Sequence, residues 1–284
     1  MELFKIYHPI TAVPFKCTEE YMEIEPCDAL KPYVRCFWGS RKAVKQDGSG
    51  AGTIDIVIPD TCMDIIFKVD FINNKIESCF CGIDDRSFAT YNDRKKSITF
   101  FTFAIRFYPW GVPMFAEESM RNTKNAFFDA GYHFSKIKEE IEKRLFDVTD
   151  IYQLIVVVEK ILLNHFKDRH INHVVFQAVS KILESRGNLR ITNLRQDVFA
   201  SSRQLERLFL EYVGVSPKSL ASMVRYQYLW NEFIYHPNFN ILDAVCRYGY
   251  SDQAHLCHDF KKYHTMSMSE AREYAVQHLD PKNN

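Results

Sequence analysis

The C-terminal part of this chain carries one helical pattern twice, offset by 51 positions: Leu194, Leu205, Phe209 and Ser216 recur as Val245, Leu256, Phe260 and Ser267. Each copy predicts a short apolar helix, a tight turn and a second amphipathic helix, which is the outline of a helix-turn-helix. The second helix of such a unit can lie in a major groove of DNA, so two copies could read two successive grooves. A duplicated groove-reader constrains the fold more tightly than composition does.

Composition sets the outer bounds. With 284 residues the chain has room for two domains with separate cores. Its 46% apolar and 25% charged content is that of a globular protein. The formal net charge is zero, and from His173 onward there are 13 Lys and Arg against 11 Asp and Glu. Affinity for a polyanion must therefore come from local placement of cations, not from a basic domain as a whole. No segment has the order of a signal peptide, and the longest apolar run, 154–158, is far too short for a membrane span. The cysteines at 17, 27, 36, 62, 79, 81, 246 and 257 include no CxxC pair and read as reduced core residues. A cytoplasmic location with no membrane partner is the expectation.

The expected fold class is α+β. Residues 1–115 predict a β-barrel or sandwich, with strands over 34–37, 54–58, 63–69, 78–83 and 98–107. Between them lie loop residues 45–52, Pro59-Asp60 and Asn73-Asn74. Residues 116–170 predict a helical linker with helices over 135–145 and 151–166, suited either to a dimer contact or to packing on each other and on the barrel. A polar stretch from Lys167 to His170 marks the boundary with an all-α domain over 171–284.

In that domain a helix over 174–186 is stopped by Gly187, and a short helix follows over 192–198. Ser201 and Gln204 form a capping box for a helix burying Leu205, Leu208, Phe209 and Tyr212. Gly214 ends it, and Ser216-Pro217 opens a long helix that Pro237 stops near Tyr235. This helix is a rigid spacer between the two units. The second copy has Gly249-Tyr250 in its turn, Ser251-Asp252 as its cap, and Ser267 with Glu270 as a further capping box.

Ser201-Ser-Arg-Gln-Leu-Glu-Arg-Leu-Phe209, Gly214-Val-Ser-Pro-Lys218, Gly249-Tyr-Ser-Asp-Gln-Ala-His-Leu256 and Phe260-Lys-Lys-Tyr263 resemble the DNA-binding domain of AraC/XylS-type bacterial transcription regulators. The resemblance covers about 173–276. A looser likeness, through Pro32-Tyr-Val-Arg-Cys-Phe-Trp38, Ile58-Pro-Asp60 and Ile105-Arg-Phe-Tyr-Pro-Trp-Gly111, points to a subgroup with a cupin-like sensory or dimerisation domain. The chain departs from the pattern at Arg195 and Val245, where small residues are usual, and at Phe199, where glycine is. His258 replaces a frequent arginine, and Thr265 and Met268 stand where the first copy has Gly214 and Pro217.

The resemblance implies double-stranded DNA as partner, and it leaves room for a small-molecule effector, RNA polymerase and a homodimer. It names no cofactor. The outward face of the first recognition helix presents Ser202, Arg203, Glu206 and Arg207; that of the second presents Gln253, Ala254, Cys257 and His258. An arginine suits guanine O6 and N7, and a glutamine suits adenine. The pattern alone balances DNA contact against two solvated arginines, Arg207 tied to Glu211; the resemblance favours DNA contact. Glu206 either accepts from cytosine N4 or orients an arginine. Arg190, Arg225, Lys261 and Lys262 are phosphate candidates.

Other groups read as structural. His255 falls near the buried side of its helix, Cys79 and Cys81 face one side of a strand as core residues, and a turn accounts for Asp60, while Asp64 could meet a polar ligand. Two alternatives to a regulator stand: an interaction module that kept the helix-turn-helix without independent DNA affinity, and a metal-dependent cupin-type enzyme. The second lacks ligands, since His8 is the only histidine in residues 1–132.

Overall fold

A computed structural model describes residues 2–49, 52–92, 97–148, 150–167 and 172–277. Loop residues 50 and 51, and the proposed boundary beyond Lys167, lie outside the described residues. The chain is α+β, with antiparallel strands first and helices after.

Strands β1 (Met22–Ile24), β2 (Val34–Gly39), β8 (Ser97–Phe107), β5 (Met63–Asp70), β6 (Lys75–Cys81) and β9 (Phe127–Asp129) lie side by side in that order. β3 (Val44–Asp47) pairs with the start of β8, and β4 (Thr53–Val57) pairs with β7 (Phe88–Asn92) in a separate ribbon. Alternation decides the faces: Ile65, Phe67 and Val69 on β5 and Phe103, Ile105 and Phe107 on β8 are buried. Asp64 and Arg106, directly paired in register, point to the other side.

The expected barrel does not close. Its two terminal strands, β1 and β9, have three residues each and do not pair with one another. Closure needs strands long enough for a consistent tilt and stagger. A helix hides part of the apolar face instead. Helix α1 (Gly131–Leu145) sets Phe134 5.0 Å from Phe80 and 6.2 Å from Phe107, with the Phe134 backbone leaving helical geometry to do so. Helix α2 (Ile151–His165), capped by Asp150, packs against α1. Tyr152, Val156 and Leu163 remain exposed along α2.

Helices α3 (His173–Glu184), α4 (Ile191–Asp197), α5 (Ser202–Tyr212), α6 (Pro217–Tyr235), α7 (Ile241–Tyr248), α8 (Gln253–His264) and α9 (Met268–Gln277) complete the chain. The starts of α5, α6, α8 and α9 carry the expected capping residues. Ser201 Oγ accepts from Gln204 N, Ser216 Oγ from Ser219 N and Asp252 Oδ1 from His255 N. The Ser267–Glu270 box closes in both directions, at 3.3 and 2.8 Å. Trp230, Phe209 and Phe260 are fully buried around α6. Each contributes on the order of 1.5–3 kcal/mol of hydrophobic stabilisation.

The β-rich and helical parts share one core, and polar bonds stitch the seam. Trp230 Nε1 donates to Thr11 O at 3.0 Å, and Ile56 N donates to the Tyr274 hydroxyl at 3.2 Å. Met120 N donates to Glu211 O at 2.8 Å, tying the loop after β8 to the last turn of α5.

Candidate nucleic-acid interface

Two helix-turn-helix units, α4–α5 and α7–α8, sit at either end of α6, whose 19 residues span about 28 Å. The burial sequence along 191–200 repeats position for position along 241–250. Leu194 thus corresponds to Ala244 and Arg195 to Val245, an offset of 50 rather than 51. The offset becomes 51 after the turn, because the second turn holds one more residue: Ser201 caps α5, whereas Asp252 caps α8. The pairing of Leu194 with Val245 is corrected accordingly.

Left-handed backbone occurs at the same two points of each unit. In the first turn Phe199 has φ 51°, where the second unit has Gly249 at 67°. After the second helix of the unit Gly214 has φ 80°, where the other unit has Thr265 at 63°. Each unit therefore holds glycine at one of these points and a side-chain-bearing residue at the other, a conformation costing about 1–2 kcal/mol without glycine. Phe199 is 96% exposed, so its ring recovers little of that by packing.

On α5, Leu205, Leu208 and Phe209 are buried and Tyr212 is half-buried, which leaves Ser202, Arg203, Glu206 and Arg207 exposed. Ser202 Oγ accepts from Arg195 at 2.7 Å, which gives the unexpected Arg195 a local role. Arg207 is paired with Glu211 at 3.1 Å. Glu211 also lies 3.9 Å from Arg121, whose guanidinium reaches Arg207 O at 3.4 Å. Arg203 has no ion pair among the described residues. Among the described residues the carboxylate paired with an arginine of α5 is that of Glu211.

On α8, Gln253, Ala254, Cys257 and His258 are exposed, as are Lys261 and Lys262 in the last turn. His255 is exposed rather than buried, yet its role is local: its ring stands edge-on to Tyr250 at 5.2 Å, and Nδ1 lies 3.1 Å from Ser251 Oγ. The hydrogen bond from His255 N holds the Asp252 carboxyl below the usual carboxylate range. Of the phosphate candidates, Arg190 is exposed just before α4. Arg225 faces inward: it donates to Asp259 at 2.9 Å and lies 4.4 Å from the centre of the Tyr250 ring. A phosphate would have to compete with that pair.

The three N-terminal motifs converge on Arg106. Its guanidinium binds Asp64 through two 3.0 Å bonds, lies 3.5 Å from Asp60 and 5.5 Å from the Trp38 ring. Trp110 Nε1 donates to Pro32 O at 2.8 Å. Asp60 and Asp64 are thus held by an arginine, while burial and those two carboxylates push Asp84 up to about 7. The Cys79 and Cys81 sulfurs lie 4.0 Å apart, and the bond with Cys81 holds the Cys79 thiol down to about 7. Among the described residues no group of three or more His, Cys, Asp or Glu is arranged to hold a metal. No helix there is long and apolar enough to cross a membrane.

Residues 194–274 match a helix-turn-helix domain family, and residues 22–129 match a "Domain of unknown function (DUF6597)". The helix-turn-helix match falls on the residues that form α4–α5 and α7–α8. Among solved structures, a probable AraC family regulator from Rhodopseudomonas palustris is 24% identical, covering 37% of this chain and 98% of that one, with a TM-score of 0.32. A regulator with an AraC-type domain from Chromobacterium violaceum is 23% identical over 38% of this chain and 94% of its own, also at 0.32. ToxT from Vibrio cholerae covers 80% of this chain and 97% of its own at 11% identity and a TM-score of 0.39. No curated protein matches the chain.

Proposed function

We propose that this protein is a sequence-specific transcription regulator whose two recognition helices, α5 and α8, read adjacent major grooves while its N-terminal part senses a small ligand or mediates dimerisation. The supporting observation is a pair of capped recognition helices at the ends of one stiff helix, each with a polar face open to solvent. In this reading Arg203 and Arg207 contact guanine, Gln253 contacts adenine, and Ser202, Ala254, Cys257 and His258 line the same faces. Glu206 borders the arginines. Arg190, Lys261 and Lys262 bind phosphates, with Arg225 joining them only by leaving Asp259. The division into 1–115, 116–170 and 171–284 follows these roles. The site of action is the cytoplasm, with RNA polymerase and a second copy of the chain as further partners.

Selection of bound duplexes from random DNA tests the reading. Enrichment of one sequence spanning two grooves is expected, with affinity falling steeply as salt rises. Absence of any enrichment would turn the assignment toward a protein-interaction module.

A further inference from the structure

A cavity of about 480 Å³ opens beside the C-terminal half of α6, between the end of α3, the α6–α7 connection and the end of α7. That volume lies within the roughly 300–1,000 Å³ of small-molecule sites. Its charged lining is two guanidiniums, Arg186 and Arg247, against one carboxylate, Glu232. Glu232 is already engaged: Arg247 and the Tyr248 hydroxyl both donate to it, the latter at 2.6 Å. Arg186 is exposed and has no ion pair among the described residues; its guanidinium lies 5.8 Å from the centre of the Tyr228 ring. One positive charge is left over in a lining that also holds the rings of Tyr228, Phe239 and Tyr248.

We infer that this cavity binds a small organic anion with a flat ring, its carboxylate forked on Arg186 and its ring against Tyr228 and Phe239. A planar guanidinium matches a carboxylate through two parallel hydrogen bonds, and it keeps that capacity while lying over an aromatic face. The position gives such a ligand a reach beyond its own walls. Tyr228 also donates its hydroxyl to Ile6 O, and Asn231, another lining residue, donates to His8 O at 3.4 Å. Arg247 belongs to α7, the first helix of the second helix-turn-helix. The occupant thus bridges the N-terminal segment and one DNA-reading unit. This site is separate from the ligand sensing proposed for the N-terminal part, and its test does not depend on DNA binding.

Titration calorimetry of the full-length protein with phenylacetate, without DNA, is the test. Saturable binding with a Kd of about 1 mM or tighter is expected. Acetate, which lacks the ring, and benzyl alcohol, which lacks the charge, are expected to bind at least about tenfold more weakly. Arg186→Asn keeps a side chain tolerant of the left-handed backbone at φ 53° and should weaken phenylacetate about tenfold. Arg186→Lys should restore part of the loss, and unchanged melting temperatures show that both variants fold. Absence of phenylacetate binding, equal binding by Arg186→Asn, or acetate binding as tightly as phenylacetate would overturn the inference. Backbone phosphate offers the same anionic chemistry. Displacement of phenylacetate by a non-cognate duplex in wild type would give Arg186 to DNA and overturn the free-anion reading.

Discussion

Gln227 pairs with both backbone groups of Ile10, 217 positions earlier: its Oε1 accepts from Ile10 N at 2.8 Å and its Nε2 donates to Ile10 O at 3.1 Å. The same Nε2 donates to Pro59 O at 2.7 Å. The side chain is 1% exposed and lies on α6 among Met223, Val224 and Trp230, so one buried amide serves two separate stretches of the N-terminal part.

Replacing it with a side chain of similar size that cannot hydrogen-bond leaves three buried backbone groups without that partner. Gln227→Leu is expected to cost about 2–4 kcal/mol, measured by urea denaturation. A loss near zero would mean that water reaches Ile10 and Pro59 and takes over the bonds.

Phe199 and Thr265 hold left-handed backbone where the other unit has glycine. Phe199→Gly and Thr265→Gly should each stabilise the protein by about 0.5–1 kcal/mol, raising its melting temperature by about 1–2 °C. Greater freedom of glycine in the unfolded chain offsets part of the relief. A lowered melting temperature for Phe199→Gly would show that its ring makes stabilising contacts despite its exposure.

His264 is buried against Trp230 and Phe260, and burial lowers its imidazole to about 3. Tyr226 OH lies 2.8 Å from its Nδ1, and its Nε2 has no partner among the described residues. In the unfolded chain the group titrates near 6.5. Between those values the unfolded state binds a proton that the folded state refuses. Its contribution to stability is therefore present above about pH 6.5 and lost as pH falls toward about 3, by up to about 1.4 kcal/mol per pH unit. His264→Phe should flatten this acid limb relative to wild type in urea denaturation at pH 7, 6 and 5, whatever its offset at pH 7. Parallel limbs for the two proteins would show that the folded state protonates His264 freely.

The two arginines of α5 should not behave alike. Arg203→Ala is expected to remove about 1–3 kcal/mol of discrimination at one base pair, whereas Arg207→Ala removes less, because its guanidinium is shared with Glu211. Lys261→Ala should weaken every duplex alike and reduce the salt slope by about one. Competition binding at two salt concentrations separates these outcomes. A larger loss of specificity from Lys261→Ala than from Arg203→Ala would reverse the assignment of face and phosphate contact.

The helices were legible because their signals are local. Caps at Ser201, Ser216 and Asp252, the Pro237 stop and the apolar spacing of Leu205, Leu208 and Phe209 all act within a few residues. The strands β1, β3, β7 and β9 left little trace; β3, Val-Lys-Gln-Asp, is mostly polar with no fully buried residue, and its pairing with β8 comes from distant sequence. Openness of the sheet was equally hidden, since it depends on which strands meet. The extra turn residue is hidden in the sequence because Leu256, Phe260 and Ser267 keep the 51-residue offset that Ala244 breaks. The clamp of Gln227 on Ile10 had one signal, a lone amide on the apolar side of α6, but nothing in sequence names its partner.

The longer second turn, together with Arg203 and Arg207 on one recognition helix and Gln253 and His258 on the other, makes the two ends of α6 chemically unlike. A tool with two different tips has a front and a back. Seated across neighbouring grooves, this molecule would meet a target with an orientation, and turning that target end for end would present each tip with bases meant for the other.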